Sequence, residues 1–231
     1  MITDVMRCCI STVANLDYIA VLAVFLATMM TVAMVASPVL MVMFNTIMVI
    51  AGVFLGRTAL NTAGLNFSTS AVFVAAAIFG SAMHHHLHGR QAAFQALNSA
   101  LFALVVIFGA LFLLNYARLL PSLFDGNIRK AGIRLVCIYL MQSLAIYLLD
   151  QPSFLPPVVR IPAIVLLCEV LEGIVFYPGV LLGARTPALI IEYTISSVGI
   201  HMMTTVLAVP FLIVFLVLER TGVVARCRQT P

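Results

Sequence analysis

The chain has 231 residues, of which 63% are hydrophobic and only 9% are charged, and its formal net charge is +4. Soluble domains carry roughly a quarter charged residues, and a chain this apolar needs lipid around it because it cannot bury so much nonpolar surface inside itself. The composition therefore excludes a soluble globular domain and predicts a polytopic integral membrane protein. The apolar runs are continuous and do not alternate, which favours membrane helices over membrane strands.

The first apolar stretch covers 18–56 and is too long for one helix that crosses a bilayer upright. The letters ASPV within it predict a break, because Pro38 disfavours a helical conformation at the residue before it. We expect two helices here, or one span and one helix that lies in the membrane plane. The small, polar segment 57–70 predicts a loop or an irregular entry to the next helix, with Ser68 or Thr69 as the N-cap of a helix that ends just before a run of histidines.

This run comprises His84, His85, His86 and His88. His84 and His88 are four residues apart, a spacing that places two potential metal ligands on one helix face. No carboxylate or cysteine is near in sequence, so we interpret the run as a solvated helix end that can become cationic, and we predict no metal site. Haem ligation would require a histidine on a second helix, for which His201 is the candidate, and no cofactor is predicted.

Four further apolar segments follow, at 92–117, 131–149, 161–183 and 187–218. A turn of only a few residues joins the last two segments, so they are expected to form an antiparallel hairpin. The final segment is longer than an upright span, which predicts a tilted or bent helix with Pro210 at the bend. The fold class predicted is thus an all-α membrane protein with five to seven membrane-embedded helices and a long tilted C-terminal helical hairpin.

No soluble domain is expected, and 1–231 is interpreted as one membrane domain. Residues 1–117 supply the N-terminal helices in this interpretation, and 118–231 supply an arginine-bearing helix and the tilted hairpin. Cations gather in two groups, around 118–134 and near the C-terminus: Arg118, Arg129, Lys130, Arg134, Arg220, Arg226 and Arg228. The positive-inside rule predicts that the two groups lie on the same side of the membrane.

Three acidic residues fall inside the last two apolar segments. Glu169 and Glu172 are three residues apart and share a helix face, and Glu192 lies in the next helix. Ionisable groups inside a membrane are costly and commonly line a polar path or contact a partner, whereas a structural hydrogen bond is the alternative. Arg134 either reaches the interface with its long side chain or lies deeper and requires these acids. One fixed cation with several acids on the following helices is the set that a proton path requires.

Two segments resemble subunit a of F-type ATP synthases. The segment GIRLVCIYLMQSLAIYLL, 132–149, resembles its arginine helix, and ALIIEYTISSVGIHMM, 188–203, resembles its second long helix with Glu192 at the position of the acid. The resemblance implies that Arg134 faces the carboxylates of a rotor ring of c subunits and separates two proton half-channels. The predicted proton path comprises Arg134, Glu169, Glu172, Glu192 and His201, of which the resemblance implies the roles of Arg134 and Glu192.

The same resemblance implies a non-catalytic subunit of a proton-transporting ATP synthase in the mitochondrial inner membrane. Its expected partners are the rotor-ring subunit c, other membrane subunits and lipid, and no nucleic acid is expected. No catalytic nucleophile, metal cage or nucleotide-binding loop is recognised in the chain, so an independent enzyme is not predicted.

Two other interpretations stay open. The segments ASPVLMVMFNTIMVIAGVFLG, 36–56, and LLCEVLEGIVFYPGV, 166–180, are similar to small membrane subunits of the type III secretion and flagellar export gate. A structural subunit of a large membrane complex, with no chemistry of its own, is the third possibility. The small residues of GLNFSTSAVFVAAAIFG, 64–80, are suited to close helix packing and favour a subunit over a free monomer.

Overall fold

The computed structural model describes residues 20–54, 59–62, 65–68, 70–116, 128–181 and 186–222. These residues form six helices and one short hairpin: α1 (Ala20–Ala36), α2 (Pro38–Phe54), β1 (Ala59–Thr62), β2 (Leu65–Ser68), α3 (Ser70–Tyr116), α4 (Ile128–Asp150), α5 (Pro157–Leu181) and α6 (Pro187–Arg220). Three helical segments are long and apolar enough to cross a membrane: Ser70–Ala110, Lys130–Asp150 and Pro187–Arg220. The predicted helical membrane architecture, with five to seven helices, is confirmed.

The predicted break in the first apolar stretch is confirmed at Ser37. This residue is the one non-helical position between α1 and α2, and its hydroxyl accepts a hydrogen bond from the Leu40 amide at 3.1 Å. Ser37 thus acts as the N-cap of α2, and Pro38 occupies the first helical position, where its missing N–H removes no hydrogen bond. The break divides 20–54 into two apolar helices, α1 and α2, that are shorter than the three long ones.

The prediction of a loop over 57–70 was wrong for 59–62 and 65–68, which form two short strands. Strands β1 and β2 pair antiparallel, with Ala59 opposite Ser68 and Thr62 opposite Leu65. Two residues separate the strands, which is the shortest common hairpin connection. The backbone groups of this polar segment therefore pair with each other. Ser68 belongs to β2 and cannot be the N-cap of α3, while the alternative cap, Thr69, lies outside the described residues.

Helix α3 reverses its direction at Gly89. The backbone angles there are φ 80° and ψ 176°, a combination open to glycine and strained for other residues because they carry a Cβ. Along α3, the contacts with α4 move first toward the end of α4 and then back toward its start. Ser70 contacts Arg134, His85 contacts Asp150, and Asn98 contacts Tyr139. The histidine run therefore lies just before a sharp turn at one end of the bundle, where Gly89 and Arg90 are exposed. A helical segment ends here, as the sequence had suggested, and the chain continues directly into a second one.

Helices α4, α5 and α6 alternate in direction. Arg160 at the start of α5 donates to the carbonyls of Leu148 and Leu149 at the end of α4, and Gly173 of α5 packs against Ser197 and Val198 of α6. The expected antiparallel pairing of the last two helices is thus present. The helix continues through Pro210, and its tilt in a bilayer stays a prediction.

The predicted common side for the two groups of cations is wrong. Lys130 lies at the start of α4, whereas Arg220 lies at the end of α6. Glu219, next to Arg220, contacts His86, and the neighbouring His85 contacts Asp150 at the end of α4. Three helices separate the two cations, and an odd number of passes places them at opposite ends of the bundle. Arg118, Arg226 and Arg228 lie outside the described residues.

Candidate functional site

A set of buried polar side chains lies where α3, α4, α5 and α6 meet. None of them is more than 4% exposed. Hydrogen bonds or an ion pair connect them in two groups that lie next to each other on α5: one contains Ser70, Arg134 and Glu172, and the other contains Glu169, Ser197, His201 and Thr205. We call this set the central polar cluster: Ser70, Arg134, Glu169, Glu172, Ser197, His201 and Thr205. Such a concentration of polar groups inside an otherwise apolar helical bundle is costly and marks the best candidate for a functional site.

Arg134 is held by groups from two neighbouring helices. Its Nη1 atom lies 3.2 Å from Oε1 of Glu172, and its Nη2 donates to the Ser70 hydroxyl at 3.0 Å. The guanidinium also lies over the ring of Phe176, 4.0 Å from its centroid, a favourable cation–π geometry. Glu172 and Phe176 are one helical turn apart on α5 and so present one face to the arginine. Arg134 therefore points into the bundle and does not extend to its surface.

Glu169 is held by α6. The Thr205 hydroxyl donates to its Oε2 at 2.6 Å, and His201 Nδ1 lies 3.1 Å from its backbone carbonyl oxygen. A carbonyl oxygen can only accept, so the proton of the imidazole belongs on Nδ1. The other ring nitrogen, Nε2, lies 3.5 Å from the Ser197 hydroxyl. Both nitrogens of His201 thus have partners while the ring is neutral.

Close approach of α5 and α6 makes these contacts possible. A Cβ added at Gly173 would lie 3.5 Å from Cγ2 of Val198 and 3.8 Å from the Ser197 hydroxyl. The two backbones are therefore as near as ordinary van der Waals packing allows, which is the usual role of small residues between membrane helices. This proximity lets His201 reach a backbone carbonyl of the neighbouring helix.

Four of the five residues predicted for a proton path come together in the central polar cluster, and Glu192 does not. Arg134, Glu169, Glu172 and His201 are all buried there, whereas Glu192 is only partly buried near the start of α6. Within the described part of the chain, its carboxylate makes no hydrogen bond or ion pair, and only its backbone carbonyl is used, by the Ser196 hydroxyl.

Three members of the cluster were missed in the sequence: Ser70, Ser197 and Thr205. Ser197, His201 and Thr205 are spaced by four residues, which places them in one stripe along α6. That spacing was a detectable signal for a polar face opposite the two acids. Ser70 carried no such signal, because its contact with Arg134 depends on the packing of α3 against α4.

A second buried network joins α2 to α3 and α4. The Gln142 amide donates to Oδ1 of Asn45 at 3.2 Å and to the Ala77 carbonyl at 2.9 Å, and the Asn45 amide donates to the Ser81 hydroxyl at 3.1 Å. We call Asn45, Ser81 and Gln142 the amide network. None of its side chains carries a charge, so its evident role is to connect α2, α3 and α4.

The histidine run has carboxylate partners from distant parts of the chain. His85 Nε2 lies 3.6 Å from Asp150 and His86 Nε2 lies 3.3 Å from Glu219, and Arg90 also pairs with Asp150 at 3.0 Å. We call these five residues the histidine layer. The expected solvated helix end is corrected in two respects: His84 is buried, while His85, His86 and His88 are partly exposed, and the acids that the sequence lacked nearby come from α4 and α6. Among the described residues, no group of three or more His, Cys, Asp or Glu is arranged to hold a metal ion.

Comparison with known proteins finds no matching family model, no similar curated protein and no similar solved structure. The resemblance to subunit a of ATP synthases therefore rests on the residues quoted from 132–149 and 188–203. Function must be inferred from the geometry of the central polar cluster and from that resemblance.

Proposed function

We propose that the protein is a membrane subunit that translocates protons and that the central polar cluster is the core of its path. One observation carries the proposal: a permanent cation, Arg134, is buried against Glu172, and the same buried cluster contains Glu169 and His201. Buried ionisable groups in membrane proteins commonly mark routes for ions or protons.

The chemistry of these side chains suits proton transfer. Arginine keeps its proton in proteins, so Arg134 stops a chain of proton transfers at its own position. Carboxyl groups and imidazoles exchange protons, and His201 can take a proton on Nε2 and release one from Nδ1. A fixed barrier next to exchangeable groups is the arrangement that a controlled path needs, because an unbroken chain of exchangeable groups would leak.

The resemblance to subunit a extends this proposal to a rotary ATP synthase in the mitochondrial inner membrane, with the rotor ring as partner. In this version Arg134 exchanges Glu172 for a rotor carboxylate during each step. The pair with Glu172 is then the resting state, and α5 must yield for the rotor to reach the arginine. Glu192 has no partner within the described residues, and it would serve as an outer relay near the start of α6.

Proton flux measured with substituted proteins tests the proposal. The subunit is purified with its native complex, reconstituted into liposomes that contain a pH-sensitive dye, and driven by ATP or by an imposed potential. We expect Arg134→Ala, Glu172→Gln and Glu169→Gln to abolish most of the flux. The matched control is Arg90→Gln, which removes an exposed arginine that also pairs with an acid. Normal flux in Arg134→Ala and Glu172→Gln would refute the proposal.

The partner is tested separately from the flux. A rotary role requires a small helical-hairpin rotor protein to co-purify with the subunit, and ATP-driven acidification to fall with Glu192→Gln. Flux without such a partner would keep the proton path and remove the rotary version.

A structural or gate subunit is the second candidate, and the amide network favours it. Interhelical hydrogen bonds such as those of Gln142 and Asn45 hold membrane helices together without any transport chemistry, and a buried ion pair can serve the same purpose. On this alternative, substitutions in the central polar cluster reduce the amount of assembled complex, and the flux per assembled complex stays normal.

A further inference from the structure

We propose that Glu169 binds one monovalent cation, a proton or a sodium ion, in the cavity that its side chain lines between α1, α3, α5 and α6. This inference rests on the proposed function for its role as a step of transport. The binding itself follows from charge and geometry and is tested below without any flux measurement.

The central polar cluster has more acidic groups than permanent cations. The central polar cluster contains two carboxyl groups, on Glu169 and Glu172, and one permanent cation, Arg134, which contacts Glu172. His201 already has partners for both ring nitrogens as a neutral imidazole. An isolated carboxylate removed from water is strongly unfavourable unless it is neutralised. The cluster is therefore balanced when one more positive charge resides at Glu169.

The two carboxyl oxygens of Glu169 differ in their hydrogen bonds. Thr205 donates to Oε2, whereas Oε1 is fully buried and has no hydrogen-bond partner among the described residues. Buried polar atoms in proteins nearly always have partners. An oxygen without one, on a side chain with no exposed surface, is the atom expected to carry a proton or to ligate an ion.

A small cavity lies beside the Glu169 side chain. Glu169 lines a cavity of about 20 Å³, enough for about one water molecule or a small ion. The walls are mostly apolar, and they include Ala27 of α1 and Ala76 of α3. Thr204 also lines the cavity and donates its hydroxyl to the Ile200 carbonyl, which leaves its oxygen lone pairs to accept or to ligate. A carboxyl group and two threonine hydroxyls are oxygen ligands of the kind that hard cations prefer.

Glu172 does not compete for this role. Its charge is balanced by Arg134, and it does not line the cavity. Cys168 precedes Glu169 on α5 and is buried, but a neutral thiol adds no charge. The cation is thus assigned to Glu169 and not to Glu172, although the two acids lie only three residues apart.

A hydrophobic carbodiimide distinguishes the two acids. Dicyclohexylcarbodiimide takes up the proton of a protonated carboxyl group on one nitrogen, and the carboxylate oxygen attacks its central carbon. The O-acylisourea then rearranges to a stable N-acylurea, so the whole reagent is added and nothing leaves. The full-length protein in detergent is treated at neutral pH, and the modified residue is identified by mass spectrometry. We expect modification at Glu169 and none at Glu172.

Three variants control the experiment. Glu169→Gln should abolish labelling. The double variant Arg134→Met with Glu172→Leu removes the ion pair and leaves Glu169 as the one charge to be balanced, so it should retain labelling. Ala27→Leu leaves the acid in place and fills the cavity, so it should slow labelling even if Glu169→Gln fails to fold. Labelling in the presence of sodium chloride is compared with labelling in choline chloride. Protection by sodium supports the site with sodium as its cation, and equal labelling in both salts supports it with the proton.

Labelling of Glu172 alone, or of neither acid at any pH from acidic to alkaline, would overturn the inference. A labelled Glu169 in a protein without proton flux would keep the cation site and reject the proposed transport function. Proton flux without a labelled Glu169 would reject the site and leave the transport function standing. The two proposals can thus fail independently.

Discussion

The ion pair between Arg134 and Glu172 gives the sharpest test of how the central polar cluster is held together. Arg134→Met removes the cation and keeps much of the side-chain volume. The substitution leaves Glu172 buried without its cation, removes the hydrogen bond to Ser70, and removes the contact with the Phe176 ring. Because neither charged partner is more than 3% exposed, water cannot replace the lost interactions.

The expected cost follows from the burial of both partners. Removing one partner of a buried ion pair typically destabilises a protein by about 3–5 kcal/mol, whereas replacing both partners with apolar side chains is often neutral or stabilising. We therefore expect Arg134→Met to lower the free energy of unfolding by about 3–5 kcal/mol. The double variant Arg134→Met with Glu172→Leu should recover most of that loss, which corresponds to a coupling energy of about 2–3 kcal/mol or more.

The measurement is unfolding by SDS in mixed micelles. The chain has no tryptophan, so far-ultraviolet circular dichroism follows the loss of helix. Arg90→Gln serves as the control, because Arg90 and Asp150 form an ion pair whose side chains are 54% and 36% exposed, and exposed pairs contribute about 0–1 kcal/mol. A loss below about 1 kcal/mol for Arg134→Met, or a double variant as unstable as the single one, would show that the two side chains do not depend on each other.

Three further predictions concern the fold. Gly89→Ala should lower the free energy of unfolding by about 1–3 kcal/mol because φ is 80° there. The control Gly109→Ala should cause no such loss, because a Cβ added there meets nothing within 4 Å. Equal effects of the two substitutions in SDS unfolding would contradict the reversal at Gly89. Cysteines placed at Lys130 and Gly222 of a cysteine-free variant should react with impermeant maleimide from opposite sides of sealed vesicles, and labelling from one side would refute the three-pass order of α4 to α6. Gln142→Leu should cost about 1–2 kcal/mol in the same unfolding assay by breaking the amide network, and an unchanged unfolding curve would show that this network contributes nothing.

Features with a local signature could be predicted from the sequence. The helices follow from continuous apolar runs, and the break at Ser37 follows from the proline after it, because both depend on neighbouring residues only. The burial of Glu169 and Glu172 follows from their place in the middle of an apolar segment. The fold class is therefore accessible from the order of the residues alone.

Features that depend on contacts between distant residues could not be predicted. The acids that pair with His85 and His86 are Asp150 and Glu219, which are far away along the chain. The reversal at Gly89 brings them together, and a single glycine after a histidine run gives no indication of such a turn. The sequence alone therefore suggested a solvated helix end where the structure has a layer of paired charges.

Glu192 illustrates a signal that was present and not used. It precedes His201 by nine residues, and nine residues rotate an α-helix by about 180° beyond two complete turns. The two side chains must therefore lie on opposite faces of α6, and only one of them can face α5. The predicted proton path included both residues, whereas helical geometry separates them unless a second, outer segment of the path exists.

Along α6, an apolar layer separates the two sets of charged groups, whereas the amide network lies between them on α2, α3 and α4. Thr205 in the central polar cluster and Glu219 in the histidine layer are about 21 Å apart along α6, from the rise per residue. Every residue from 206 to 218 between them is nonpolar, and Leu212 and Phe215 are fully buried. Hydrophobic constrictions tend to exclude water and so resist the passage of protons and ions.

Phe215 is thus the side chain on which a closed path should depend. We expect Phe215→Ala to open a cavity between the two layers, to lower the free energy of unfolding by about 3–5 kcal/mol, and to raise proton leak through liposomes in the absence of any driving complex. Val214→Ala is the matched control, since Val214 is exposed on the same turn of α6. The leak is measured with an entrapped pH-sensitive dye after a small acid pulse. If Phe215→Ala folds and leaks no more than Val214→Ala, the apolar layer does not limit proton movement. The barrier would then have to reside at Arg134 alone, where the fixed positive charge blocks transfer within the central polar cluster.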